Sequence, residues 1–257
     1  MVLTESITIL RKKKATVGTS VITANKLTSV PLTDSGFGYT STSAITIAAP
    51  AAVTFNGATG VDDTTEEITL TGHPFATGDK VTYADGGGTE IGGLTDGDDY
   101  YVIKVDANTI QLAASLADAI AGTEIDLTDG VGAAHTLTGE TATVAVTFGT
   151  LGSIASITVT NPGSGYASAP AVTVADPPTG TGATSLVQSG SAPVSIGSSG
   201  TFTATFKTEG SIDGVTWYDL DASLTSATFK QYANPLPYIR ANMTAYTSGD
   251  LIVKAIF

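Results

Sequence analysis

Cysteine is missing from this 257-residue chain, which removes disulfides, thiolate metal sites and cysteine nucleophiles. Basic residues are also scarce: eleven Lys and Arg stand against twenty-four Asp and Glu, a net charge of −13. Gripping phosphates takes clustered cations, so nucleic acid is not an expected partner. Charged residues of both signs make up only 14% of the chain, where about a quarter is usual. No apolar run approaches the roughly 20 residues of a membrane helix, so no membrane partner is expected. Met1 to Leu10 contains Glu5 and no long apolar core, so it does not read as a secretory leader. Helical periodicity is missing beyond a turn or two. Only two histidines occur, His73 and His135, without a His-x-x-x-His or carboxylate pattern, and both read as structural or solvent-facing rather than metal-bound.

What fills the chain is Thr, Ser, Gly, Ala and Val in short segments of period two, separated by turn residues. The expected fold class is all-β, built from three small sandwich-like or barrel-like modules.

One motif occurs twice. Residues 33–50 and 160–177 align without a gap, sharing Thr33/Thr160, Gly36/Gly163, Gly38/Gly165, Tyr39/Tyr166, Ser41/Ser168, Ala44/Ala171, Thr46/Thr173, Ala48/Ala175 and Pro50/Pro177. Gly-x-Gly permits the positive φ of a reversal. The following tyrosine can pack over the turn, and Ala-(Ile/Val)-Thr-(Ile/Val)-Ala alternates like a strand until proline ends it. Neither copy can bury a core alone, so the two are expected to pair in one sheet with an insertion between them. This predicts a discontinuous repeat domain of residues 30–53 plus 142–187, an inserted module over 54–141, and a C-terminal module over 194–257. Residues 1–29 remain as an arm or a set of edge strands. A Ser/Gly stretch from Gln188 to Gly200 marks the last boundary.

Within the insert, strands are expected at 67–70, 80–83, 100–105 and 109–112, with short ones at Asp126-Leu127 and Thr136-Leu137. Asp106-Ala107-Asn108 reads as a hairpin turn. Ser115 and Gly122 bracket a short helix as N-cap and terminator. In the last module, 201–207, 215–220, 238–243 and 251–257 read as strands.

Candidate chemistry is thin. Arg11, Lys12, Lys13 and Lys14 form the one basic cluster, either an arm that docks on an acidic neighbour or an edge strand kept soluble by its charges. Asp62-Asp63 and Asp96-Gly97-Asp98-Asp99 could offer oxygens to calcium, but Ala107 stands where a twelve-residue loop from Asp96 needs its glutamate, so they read as solvated turns. Gly197-Ser198-Ser199-Gly200 lacks nucleophile-elbow spacing. The Gly-x-Gly stretches open no helix, so they read as turns rather than phosphate loops. No catalytic residue, cofactor or metal site is expected. Trp217 and Tyr218, after the Ser211-Ile212-Asp213-Gly214 turn, are the remaining interaction candidates, with Trp217 expected as a buried anchor.

These residues carry resemblances. His73-Pro74-Phe75-Ala76-Thr77-Gly78-Asp79-Lys80-Val81-Thr82-Tyr83, with Ile91 to Thr95 and Tyr100 to Ile103 after it, resembles a module found in tailed-bacteriophage virion proteins. Gly163-Ser164-Gly165-Tyr166 is similar to a second repeat of such proteins. The pairing of Asp213-Gly214-x-x-Trp217 with Tyr238-Ile239-Arg240-Ala241 is similar to one of their C-terminal domains. The same turn also resembles the Asp-box of sialidase-type propellers, less one residue, and the hairpin of discoidin-like sugar-binding domains. The resemblance implies a non-enzymatic virion structural protein, a capsid decoration or cement protein, or else a tail, neck, baseplate or fibre accessory. Expected partners are other virion proteins, major capsid or tail, and further copies of itself, a trimer being one option. A host glycan would meet Trp217, Tyr218, Tyr232 and Tyr238 if the last module bound a receptor.

Overall fold

The computed structural model describes residues 6–39, 45–128, 130, 132, 134–149, 152–181, 194–232 and 237–256. It is nearly all β, with a single helix among the described residues, Leu116–Ala121. Ser115 Oγ accepts from the Asp118 amide and Gly122 closes the helix in the left-handed region, as Ser before and Gly after a short apolar run dictate.

The two repeat copies pair. Strand Ile45–Ile47 runs antiparallel to Val172–Val174, with Thr46 opposite Thr173. Thr173 lies 127 residues after Thr46, so each strand faces its own counterpart and a local two-fold axis passes between the threonines. The contacts around it come in reciprocal pairs at the same offset. Tyr39 N donates to Gly152 O and Tyr166 N to Asn25 O, while Leu27 N donates to Pro162 O and Ile154 N to Ser35 O. Each tyrosine hydroxyl ties both copies together. Tyr39 Oη accepts from Ala15 N (2.7 Å) and donates to Ala175 O (3.1 Å). Tyr166 Oη accepts from Ala142 N (2.8 Å) and donates to Ala48 O (3.4 Å).

The repeat is therefore longer than the motif that betrays it. It begins at Lys13 and Glu140, whose carbonyls accept from Phe37 N and Ser164 N. It takes in the Thr16–Thr33 and Thr143–Thr160 hydroxyl pairs at 2.8 and 2.9 Å. Two cores result, each drawing from both copies: Leu27, Ile47, Ala142 and Tyr166 in one, and their images Ile154, Val174, Ala15 and Tyr39 in the other. The glycines are obligatory because Gly36 and Gly163 have φ of 55° and 62°, and a Cβ on either would sit within 2.8 Å of the Ala15 or Ala142 amide.

The insert is a seven-stranded antiparallel sheet ordered 53–55, 135–139, 80–84, 99–104, 109–113, 67–69, 61–62. It curls around its own core of Phe55, Ile68, Phe75, Tyr83, Val102, Leu112 and Leu137, among others. Asp126-Leu127, expected as a strand, makes only an isolated bridge at the next residue, Thr128 to Gly92.

The C-terminal module is organised by one 19-residue strand, Tyr238–Ile256. Its first part pairs with Phe202–Ser211. Its last part is flanked by Val194–Ser199 on one side and Ser6–Lys13 on the other. The N-terminal strand thus completes the C-terminal sheet rather than the first one. The expected boundary stretch lies partly outside the described residues, but 194–199 is a ladder strand. It pairs on both sides and buries Ile196 in the core of that module.

The dyad extends to the connections. Val53–Phe55, leaving the first copy, and His135–Gly139, entering the second, pair with each other and anchor the insert. At the same offset, Gly180–Thr181 leaves the second copy and Ser6–Lys13 enters the first, and both pair with Tyr238–Ile256. Insert and C-terminal module hang from equivalent ports of one symmetric bracket.

Candidate interaction surface

The three lysines of the basic cluster are spent inside the chain. Lys12 is buried, with its ammonium donating to Gly38 O and Pro178 O at 3.0 Å each. Burial lowers its pKa. Lys13 pairs with Asp34 and Lys14 with Asp176, and Arg11 takes its place in the strand opposite Ile252. These lysines clamp the N-terminal strand, an edge strand paired with Tyr238–Ile256, to both copies of the repeat, so it is not a free arm.

Two of the three motifs that carry the virion resemblance meet each other. Phe75 packs against Gly165, where an added Cβ would lie 2.8 Å from the ring. Ser164 Oγ donates to Lys80 O and accepts from Glu140 N. Asp79, 1% exposed, accepts from Ala76 N through Oδ2. Its Oδ1 sits 2.7 Å from Lys26 Nζ of the first copy's hairpin, an ion pair rather than a directed hydrogen bond. Two shallow grooves of about 450 and 370 Å³ flank this joint and share Lys80 and Glu140. Their aspartates are engaged, Asp79 by Lys26 and Asp99 by Lys80 and Thr82.

Both histidines are buried and serve the insert's packing. His73 accepts from the Phe75 amide inside its own loop, and burial lowers its pKa. His135 Nδ1 lies 2.8 Å from Tyr83 Oη, which itself accepts from Ile91 N. The acidic turns cap themselves: Asp62 accepts from the Thr64 and Thr65 amides. No group of three or more potential metal ligands converges among the described residues.

The turn after Ser211 differs from all of these. Asp213 Oδ1 accepts from Ser211 Oγ and the Val215 and Thr216 amides. The Thr216 and Val215 amides, then the Ser211 hydroxyl, hold its carboxyl down at about 2. A backbone fixed this way displays Ile212 (75% exposed), Val215 (81%) and Tyr218 (63%) to solvent. Trp217 is half-buried, with the Arg240 guanidinium 4.1 Å from its ring centroid, and Arg240 is in turn bound to Glu209. It therefore anchors on a cation and not in the apolar core. Tyr232 donates to Asp221, which also pairs with Lys230, and the Tyr238 ring lies over Gly214. The four aromatic residues named as a sugar platform do not form one exposed face.

Charge is divided as sharply as exposure. Residues 53–139 hold fifteen of the acids and two of the bases, a charge of −13, while the rest of the chain balances at nine and nine. The whole-chain value concealed this, and a sum taken module by module exposes it. Compared with known proteins, the chain matches no family model, no curated protein and no solved structure.

Proposed function

We propose that this chain is a non-enzymatic structural component of a tailed-bacteriophage particle, a decoration or cement protein that contacts neighbouring subunits. The observation that carries this reading is the turn Ser211–Tyr218. Three large apolar side chains stand in solvent on a backbone locked by Asp213, and that is a surface suited to being covered by protein. The rest of the architecture supports the reading. Ion pairs and buried hydroxyls are used to hold modules to one another, as in the Lys12, Lys13, Lys14 and Lys26 contacts, which suits a chain that bears load between subunits.

The test is quantitative mass spectrometry of purified particles of the phage that encodes the chain. The reading expects its peptides at a fixed, multiple copy number per particle. Absence from particles, or hydrolytic activity on envelope polymer by the purified chain, contradicts it.

A further inference from the structure

We propose that His73 is an acid-sensitive latch between the insert and the repeat bracket. Taking up a proton there releases the loop 73–79 from the bracket and frees the insert to swing about its two connecting strands, Val53–Phe55 and His135–Gly139. This latch does not depend on a role in a particle.

His73 and His135 are the chain's only histidines, and imidazole is the side chain that ordinarily changes charge between about pH 5 and 8. Both lie in the insert, but they are placed differently. His135 is enclosed in the insert's own sheet beside Tyr83 and Phe55. His73 is 6% exposed and opens the loop that touches the bracket. Its Nδ1 accepts the Phe75 amide at 3.2 Å. An amide can only donate, so the neutral ring carries its proton on Nε2, 3.2 Å from Asp106 O. The Phe75 ring stacks on the imidazole, with 5.9 Å between centroids. That same ring meets Gly165 of the bracket. Further along the loop, the bonds between Ala76 and Asp79 present the Asp79 carboxylate to Lys26.

A proton on Nδ1 sets one buried donor against another, so the Phe75 amide loses its acceptor and the loop cannot keep its shape. The charged groups facing the ring are Lys104, which opposes protonation, and Asp106, which favours it. Burial is the largest influence, and His73 titrates below its ordinary range. An open loop therefore takes the proton more readily than the closed one. The latch is complete above the roughly 6.5 of a free imidazole and is lost as pH falls from there through the folded value. Within that window each pH unit raises the open fraction by up to about tenfold.

The experiment follows amide protection by NMR on the full chain from about pH 7.5 to 5.5, above the range where carboxylates ordinarily titrate. Protection is referred to the unstructured rate at each pH, and the ring resonances of both histidines are recorded alongside. Phe75 and Ala76 should lose protection in step with the His73 ring, while Tyr83 in the insert and Tyr166 in the bracket keep theirs. Spin labels on Ala117→Cys in the insert and Thr158→Cys in the bracket, both exposed sites in a chain without cysteine, should give a distance distribution that broadens over the same range. His73→Asn supplies an Oδ1 that accepts the Phe75 amide and does not titrate, so both changes should vanish. Constant protection of Phe75 and Ala76 across the scan overturns the latch, as does a loss that tracks the His135 ring or persists in folded His73→Asn. Loop protection lost with label distances unchanged overturns release of the insert. If the variant does not fold, the two ring titrations in wild type decide.

Discussion

At the scale of single residues, Tyr39 and Tyr166 do the same work at symmetric places. Each hydroxyl receives a buried amide from the start of its own copy and gives its proton to the end of the other. Tyr39→Phe or Tyr166→Phe leaves that amide without an acceptor, which costs about 1–3 kcal/mol. Because the surroundings are matched, urea titrations of the two variants should give losses that agree within about 1 kcal/mol. Asp213 gives a prediction in pH. Its folded carboxyl titrates at about 2, below the roughly 3.9 of an unfolded aspartate. A depressed pKa means its contribution is complete above the unfolded value and is lost as pH falls through the folded one. The protection factors of the Val215 and Thr216 amides against exchange, followed by NMR and referred to the unstructured rate at each pH, should fall as pH drops from about 4 to 2. In Asp213→Asn that dependence should vanish.

Among the elements, the joint between insert and bracket is the sharpest case. Gly165 has φ of 74° and no room for a Cβ beside Phe75. Gly165→Ala should therefore cost about 2 kcal/mol or more, measured by thermal unfolding. Lys26→Met leaves Asp79 buried without its cation. With the lysine partly exposed, the loss should be about 1–3 kcal/mol, and Lys26→Arg should recover part of it. Much of this level was legible in the sequence: the Ser115–Gly122 helix, the Asp106–Asn108 turn and the strands over 80–83, 100–105 and 109–112 follow from caps, turn residues and alternation. Local pattern failed where tertiary context decides. Residues 194–199 have the composition of a linker yet lie between two strands. Likewise, nothing within Ser6–Lys13 names a partner strand some 240 residues away.

For the molecule as a whole, pairing of the two motif copies was readable from their identity, but the full dyad was not. Ala15-Thr16-Val17 and Ala142-Thr143-Val144 carry it at the offset of 127, and elsewhere the copies keep shape more than letters. Asn25 (φ 62°) stands where the second copy has Gly152 (φ 65°), because both tolerate the left-handed region. The interaction surface was half legible. Trp217 stood out as the sole tryptophan and Tyr218 as its neighbour after the turn, whereas Ile212 and Val215 depend on exposure that only the folded turn defines. The account that results is a symmetric bracket with an anionic module at one port and a balanced, apolar-tipped module at the other. The direct test is cryo-electron microscopy of the particle. It should show the Ser211–Tyr218 turn covered by a neighbouring subunit, with the −13 inserts facing solvent. Particles without density for this chain, or copies seated on the particle through their inserts, would contradict it.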